Sequence, residues 1–413
     1  MSTGRRLDVQ QSPHRPVYVV WELTLRCDQP CTHCGSRAGD ARRDEWTTDE
    51  AVRFAAELGA MGAREVVLIG GEAYLHPGFL DIVRALRDAG VRPTLTTGGR
   101  GVTPAMAHAM ARAGVERVSV SIDRLRATHD LMRASRGAST RPSACLRSLR
   151  EAGVAGIAAN TNVNRLNRGE LEALYEVLKA EGVRAWQVQL TTPLGRAADR
   201  AGMILQPWDL LDVVPRIAAL KARGFDEGVV ITPGNNLGYY GPEEGLLRAL
   251  RPEEPDRWQG CQAGRFVLGV ESHGDVKGCP SLQSSHYVQG NARTQSLRAL
   301  WDAPGPMQYA RTRTVDDLWG FCRACPFASA CLGGCTFTAH AILGRPGNNP
   351  YCHYRARAFA ARGLRERLVP AEPAPGEPFD NGRFDVVEEP LDAPDPDAVT
   401  APAALVKIRR ARA

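Results

Sequence analysis

Ten of the eleven cysteines fall into two arrays whose spacing suits metal ligation. Cys27, Cys31 and Cys34 occupy one short stretch with the spacing C-x3-C-x2-C. Three thiolates from one tight loop can ligate three irons of a [4Fe–4S] cube and leave the fourth iron without a protein ligand. A catalytic site needs such an open metal position, whereas a structural site closes all of its positions. A single zinc ion is the alternative. It asks for four ligands, and His33, between two of the cysteines, points poorly toward the same ion. The second array, Cys261, Cys279, Cys322, Cys325, Cys331, Cys335 and Cys352, runs through a Gly-rich stretch with little periodicity, residues 261–365. A segment so poor in long apolar runs needs cross-linking by metal to be well ordered. The eleventh cysteine, Cys145, lies in a helix-like stretch and reads as a small buried hydrophobe.

The rest of the chain supplies the frame. Of 413 residues, 43% are hydrophobic and 24% charged, a balance that supports a globular core and argues against a disordered or fibrous chain. No run approaches the roughly 20 apolar residues of a membrane span, and the polar N-terminus lacks a signal-peptide core. A cytoplasmic location follows, and an odd cysteine count in a long chain of this kind favours metal ligation over disulfides. The formal charge of +6 is modest. Strand-like apolar runs at 17–25, 65–70, 92–97, 116–122, 153–160 and 185–191 alternate with helix-like stretches at 48–61, 78–90, 103–114, 139–153 and 168–182. Six βα units in series predict a parallel sheet with right-handed crossovers, which binds ligands at the C-terminal ends of its strands. From 206 to 260 the pattern loosens, with one helix (208–223) and one short strand (228–232). A helix is expected over 354–368. From Pro370 to Pro402 eight prolines stand among many acids, so residues 371–413 read as a disordered tail, ending in the basic run 407–412.

C-x3-C-x2-C at the end of the first strand of such a sheet resembles the radical S-adenosylmethionine (SAM) superfamily. The resemblance implies an α/β fold, a partial (β/α)6 TIM-like barrel over residues 17–205, preceded by an N-terminal extension (1–16) and followed by a bridging segment (206–260). It also implies that the open iron binds the amino and carboxylate groups of SAM. Cleavage of SAM then gives a 5′-deoxyadenosyl radical that takes hydrogen from an unreactive C–H bond. Gly70-Gly71-Glu72, at the end of the second strand, resembles the family's Gly-Gly-Glu motif: the glycines admit the ligand and Glu72 accepts hydrogen bonds from the SAM ammonium. Ala73 stands where the family often has Pro, and His33 where it often has an aromatic; neither departure removes a ligand. By the same resemblance Ser121 contacts the SAM carboxylate or ribose. Arg133, after His129 and Asp130, pairs with the carboxylate, Asn160 and Asn162 hold the ribose hydroxyls, and the segment from Gln189 to Arg196 closes the sixth strand.

The seven later cysteines, with Gly274, resemble the SPASM auxiliary iron–sulfur domain, here residues 261–365. Carried across by position, Cys322, Cys325, Cys331 and Cys352 ligate an outer cluster, and Cys261, Cys279 and Cys335 an inner one. Shortly before Cys261 there is no further cysteine, only Glu253, Glu254 and Asp256. The inner cluster therefore has an open iron or takes an oxygen ligand. Three [4Fe–4S] clusters and SAM are the implied cofactors.

Relatives of this build mostly modify ribosomally made peptides by cross-linking or oxidation. That reaction, with a peptide substrate and a flavodoxin- or ferredoxin-type electron donor, is the leading expectation. The alternatives are oxidation of a small molecule or tetrapyrrole, and sulfatase maturation. A non-catalytic iron–sulfur scaffold is opposed by Glu72 standing in register with Cys34. The sixteen residues before the first strand are too few for a leader-peptide-binding domain, so such a domain is either a separate protein or absent. Neither nucleic acid nor membrane is an expected partner.

Overall fold

The computed structural model describes residues 12–123, 125, 132–134, 141–282 and 284–396. His129, Asp130 and the basic run 407–412 lie outside the described residues.

Seven parallel strands form the frame in chain order: β1 (Tyr18–Thr24), β2 (Glu65–Gly70), β3 (Arg92–Thr97), β4 (Arg117–Ser121), β5 (Gly156–Val163), β6 (Ala185–Leu190) and β7 (Val230–Pro233). Helices α1 (Thr48–Ala60), α2 (Phe79–Asp88), α3 (Pro104–Ala113), α4 (Arg141–Glu151), α5 (Leu171–Ala180) and α6 (Leu210–Glu227) form the crossovers. Strands of a parallel sheet are covered on both faces, so they read as continuous apolar runs; β2, with Val66, Val67 and Leu68 all buried, is one. Helix α1 starts where Thr47 and Glu50 cap each other reciprocally, satisfying two end donors. Its Phe54 packs edge-on against Trp21 of β1 and against Trp46, with ring centroids 5.1 and 4.6 Å apart.

The sheet does not stop at β1. On its other side β8 (Val267–Val270) pairs in parallel, followed by antiparallel β9 (Asp275–Lys277) and β10 (Val288–Asn291). The cysteine-rich region thus extends the barrel sheet beside the strand that leads into the first cysteine array. The loosened segment 206–260 likewise supplies α6 and a seventh parallel strand, because Ala185 to Val188 pair with Val230 to Pro233. Among the described residues no helix is long and apolar enough to cross a membrane.

Two sequence expectations are corrected. The helix expected over 354–368 is only His353–Ala360. Gly363, at φ +70°, turns the chain in the left-handed region, and the chain continues as a strand. The tail expected to be disordered from residue 371 is ordered through 396: β11 (Leu364–Glu372) pairs with β12 (Arg383–Pro390) as an antiparallel hairpin. Neither strand has enough apolar surface alone, but pairing carries Leu368 and Phe384 into the core. Acids of the expected tail are ion-pair partners: Glu389 of Arg365 and Arg367, and Asp380 of Arg37.

Candidate functional site

The C-terminal ends of β1 to β6 open into a chamber of about 330 Å³, bounded on its other side by the cysteine-rich region. Cys27, Cys31, Cys34, Gly70, Gly71, Glu72, Ser121 and Arg133 all line it. The cysteine loop leaves β1 at Arg26 and returns at Gly39, the two ends bridging like strand residues. Distant groups fix the loop between. The Arg196 guanidinium donates to the carbonyls of Cys31, Arg37 and Ala38, at 3.2, 3.1 and 2.6 Å. Thr32 donates to the Met132 carbonyl through its amide (2.8 Å) and its hydroxyl (3.0 Å).

Gly71 is required by space. A Cβ there would stand 2.1 Å from the Arg26 carbonyl oxygen. Glu72 is fully inside, accepting from the Thr97 hydroxyl, the Gly98 amide (2.7 Å) and the Gln29 side-chain amide (3.3 Å). Burial pushes its carboxyl up to about 7, against these hydrogen bonds. Arg133 donates to Asp123 and to the Cys31 sulfur (3.5 Å), while its Nε has no partner. His33 Nε2 lies 3.4 Å from Asp123, and Nδ1 is buried without a partner.

Asn160 is placed differently from the expectation. It lines a second, deeper cavity of about 210 Å³ inside the barrel with Thr94, Arg117 and Gln187. Strand β5 runs on to Val163, three residues beyond the expected end, so Asn162 is the residue that reaches the chamber. Sequence reading also missed Glu22, Gln29, Asn236 and Phe379, all on the chamber wall. Asn236, two residues past Gly234 at the end of β7, stood where strand-end logic looks for ligands. Phe379, in the proline-rich tail, carried no such signal.

The cysteines of the second array form two sets. Burial pushes the Cys279 thiol up to about 12, with Cys335 and Cys261 adding to it. Burial pushes Cys352 up to about 12 as well, with Cys322 and Cys325 adding. Cys322, Cys325, Cys331 and Cys352 line one apolar cavity with Tyr240, Phe327 and Tyr354. Of the acids before Cys261, Glu254 accepts from Arg251 and Asp256 from the Gln259 side-chain amide. The Tyr309 hydroxyl does reach it, 3.6 Å from the Cys261 sulfur. Ser281, two residues beyond Cys279, and Phe337, two beyond Cys335, line the chamber, so the inner set adjoins it.

These sets fit iron–sulfur cubes better than single ions. Thiolates on one tetrahedral zinc stand about 3.8 Å apart, given Zn–S bonds of about 2.3 Å. Among the described residues no three cysteine sulfurs lie within 4.8 Å of one another. Buried, neutral thiols become ligands only when a metal's charge reverses the cost of their ionisation.

Comparison with known proteins agrees. A family profile described as "Radical SAM superfamily" matches residues 21–190, and one described as "Iron-sulfur cluster-binding domain", SPASM, matches 261–326. The chain is 30% identical to an AdoMet-dependent heme synthase of Methanosarcina barkeri, over 82% of this chain and 97% of that one. It is 26% identical to the mycofactocin maturase MftC of Mycobacterium tuberculosis, over 82% of this chain and 83% of that one. Among solved structures, Streptococcus suis SuiB bound to S-adenosylmethionine superposes with a TM-score of 0.64 at 16% identity, covering 82% of this chain and 76% of that one. SuiB bound to its precursor peptide SuiA gives the same TM-score, 0.64.

Proposed function

Because the chain belongs to the radical SAM superfamily and carries a SPASM domain, with [4Fe–4S] clusters and SAM as its cofactors, we propose that it modifies a side chain of a peptide. The SAM-binding cluster and SAM supply the 5′-deoxyadenosyl radical, and the protein contributes orientation and exclusion of water.

In this reading Cys27, Cys31 and Cys34 hold the SAM-binding cluster. The outer auxiliary cluster belongs to Cys322, Cys325, Cys331 and Cys352, and the inner one to Cys261, Cys279 and Cys335. Gly70 and Gly71 let the SAM ammonium approach Glu72. Arg133 keeps Nε for the SAM carboxylate, and Ser121 and Asn162 face the ribose.

The observation that carries the peptide reading is the chemistry of the remaining wall. Gln189, Thr191, Thr192, Asn236 and Ser281 are neutral amides and hydroxyls that match peptide groups. Arg133 is the one arginine or lysine among the described residues lining the chamber, and it is already engaged by Asp123 and Cys31. A tetrapyrrole bearing several carboxylates finds no free arginine or lysine among the described lining residues, and burying carboxylates without a cation is costly. A chamber of about 330 Å³ is also at the small end of ligand sites, which span roughly 300–1,000 Å³. It takes SAM and one inserted side chain more readily than SAM and a macrocycle. The second reading, tetrapyrrole chemistry, is favoured by the 30% identity to a heme synthase.

The two readings separate in one assay. Anaerobic, reduced enzyme is given either short peptides encoded beside its gene or iron coproporphyrin III. Deoxyadenosine formation above the uncoupled rate, with a mass change in a peptide, supports the first. The same response to the tetrapyrrole, with none to the peptides, overturns it.

A further inference from the structure

A segment outside both cysteine arrays closes the chamber. Loop 373–382 joins β11 to β12 and folds back over the cysteine loop. The Phe379 amide donates to the Gly35 carbonyl at 3.2 Å, and the Asp380 carbonyl accepts from the Gly195 amide at 2.8 Å. The Asp380 carboxylate accepts from Arg37 Nε at 2.8 Å and from the Glu377 amide at 3.0 Å. Arg37 in turn pairs with Asp199, at 2.7 Å, which is 46% exposed. The loop is thus tied to both sides of the chamber mouth by a few polar contacts, part of them wet.

Phe379 stands out within the loop. It is 7% exposed although it lies in a proline-rich surface connection, and its ring lines the chamber. Its backbone is at φ +58°, in the left-handed region that a residue with a Cβ avoids. Such a conformation persists only where the surroundings impose it, and here the backbone hydrogen bonds of Phe379 to Gly35 and of Asp380 to Gly195 hold it. The ring also sits 4.3 Å from the Lys277 ammonium. Lys277, wholly buried, is fixed by Glu271 and by the Leu282 carbonyl at 2.6 Å. The aromatic face therefore bridges the cysteine loop of the barrel to strand β9 of the cysteine-rich region, with a cation–π contact as its latch.

The loop is proline-rich and lies beyond the paired part of the ladder. Pro373, Pro375 and Pro378 stiffen it, while the ladder ends at Glu372 and Arg383 after an irregularity at Pro370. Gly376 is at φ +107°, and a Cβ added there would meet nothing within 4 Å.

We propose that loop 373–382 is a gate over the chamber and that Phe379 is its closing side chain: the residue a ligand displaces on entry, and the one that limits the size of the substrate group admitted. Closure excludes water from the radical, the function lids serve in other enzymes. The inference rests on the reading of the chamber as the SAM site, and SAM itself is the probe that tests it.

A gate passes ligand only while open. Opening it more often speeds entry and exit by the same factor and leaves the equilibrium affinity unchanged. The experiment measures SAM association and dissociation rates by stopped flow on the full-length, cluster-loaded enzyme. Phe379→Ala should raise both rates by a common factor, about tenfold if the closed state predominates in the wild type, with Kd within twofold. Phe379→Leu should fall between, and Asp380→Asn, which loosens the Arg37 tie but keeps the ring, should move both rates in the same direction. Unchanged rates in all three variants overturn the proposal, as does a rise in dissociation alone, which would make Phe379 a binding contact. Failure of the wild type to bind SAM would instead overturn the assignment of the chamber.

Discussion

The contact between Gly71 and the cysteine loop makes a sharp test of how tightly the two SAM-facing motifs are coupled. Replacing Gly71 with alanine puts a Cβ 2.1 Å from the Arg26 carbonyl oxygen and 2.5 Å from its carbon. Relief to an ordinary C···O separation of about 3.3 Å requires roughly 1 Å of backbone movement. No flexible side chain can absorb it, because the crowded atoms are main chain. Arg26 immediately precedes Cys27, and its carbonyl accepts the Glu72 amide at 2.8 Å. The movement therefore strains that hydrogen bond, worth about 1 kcal/mol, and displaces a cluster ligand. A misplacement of about 1 Å can cost on the order of a hundredfold in rate. Gly39→Ala is the control: it lies at the other end of the same loop, and a Cβ there meets nothing within 4 Å. Iron content, thermal stability and deoxyadenosine formation under reductant would be measured for both. Gly71→Ala should fold but lose SAM cleavage by about a hundredfold, with partial loss of iron, while Gly39→Ala behaves as wild type. Cleavage within twofold of wild type in Gly71→Ala would refute the argument from close approach. Equal losses in both variants would show a loop intolerant of any change.

Anaerobically prepared protein should contain about twelve irons, and joint replacement of Cys27, Cys31 and Cys34 by alanine should remove about four of them and abolish SAM cleavage, as read by iron analysis and deoxyadenosine formation. Since the Glu72 carboxyl is raised to about 7 and its ionised form is the one that binds an ammonium, SAM affinity should fall about tenfold per unit as the pH drops below 7; equilibrium dialysis from pH 8 to 5.5 checks this, and Glu72→Gln should flatten the profile. As a cluster ligand Cys261 carries no proton, so Tyr309 is the donor in their 3.6 Å contact; Tyr309→Phe should lower the inner cluster's reduction potential in an EPR-monitored titration while iron stays constant. Ending the chain at residue 363 removes the buried Leu368 and Phe384, each worth about 1.5–3 kcal/mol, so Tm should fall by several degrees or soluble protein should be lost; an unchanged Tm would mean the hairpin packs without stabilising.

The parallel frame was legible because a strand covered on both faces is largely an apolar run, and β2, with Val66 to Ile69, falls at the residues expected. The chamber cysteines Cys27, Cys31 and Cys34 were legible because they stand close together on one short loop at the end of β1, where a parallel sheet places its ligand site. Asn160 was misassigned for a physical reason: β5 continues through Thr161 to Val163, and a slip of two or three residues along a barrel strand moves a side chain one layer from the mouth. The hairpin was hidden because its apolar residues, Leu368 and Phe384, are few and become buried only by pairing across the proline-rich loop.

The groups that hold the site in place follow a different rule from the groups that do its chemistry. The cysteine loop is secured by Arg196, by Met132, and by Arg37 in concert with Asp380. Each of these needs only to present a donor, or accept one, at a backbone group or a single charge. Any exposed arginine or aspartate has that capacity in the sequence, so spacing distinguishes none of them; only the fold does, by bringing residues 37 and 380 together. The same logic accounts for Phe379. An aromatic residue in a tail is chemically unremarked until a left-handed backbone and a buried lysine hold its ring against the chamber. Substrate range in such an enzyme is therefore set less by the two cysteine arrays, whose geometry the clusters fix, than by the connections that close over them.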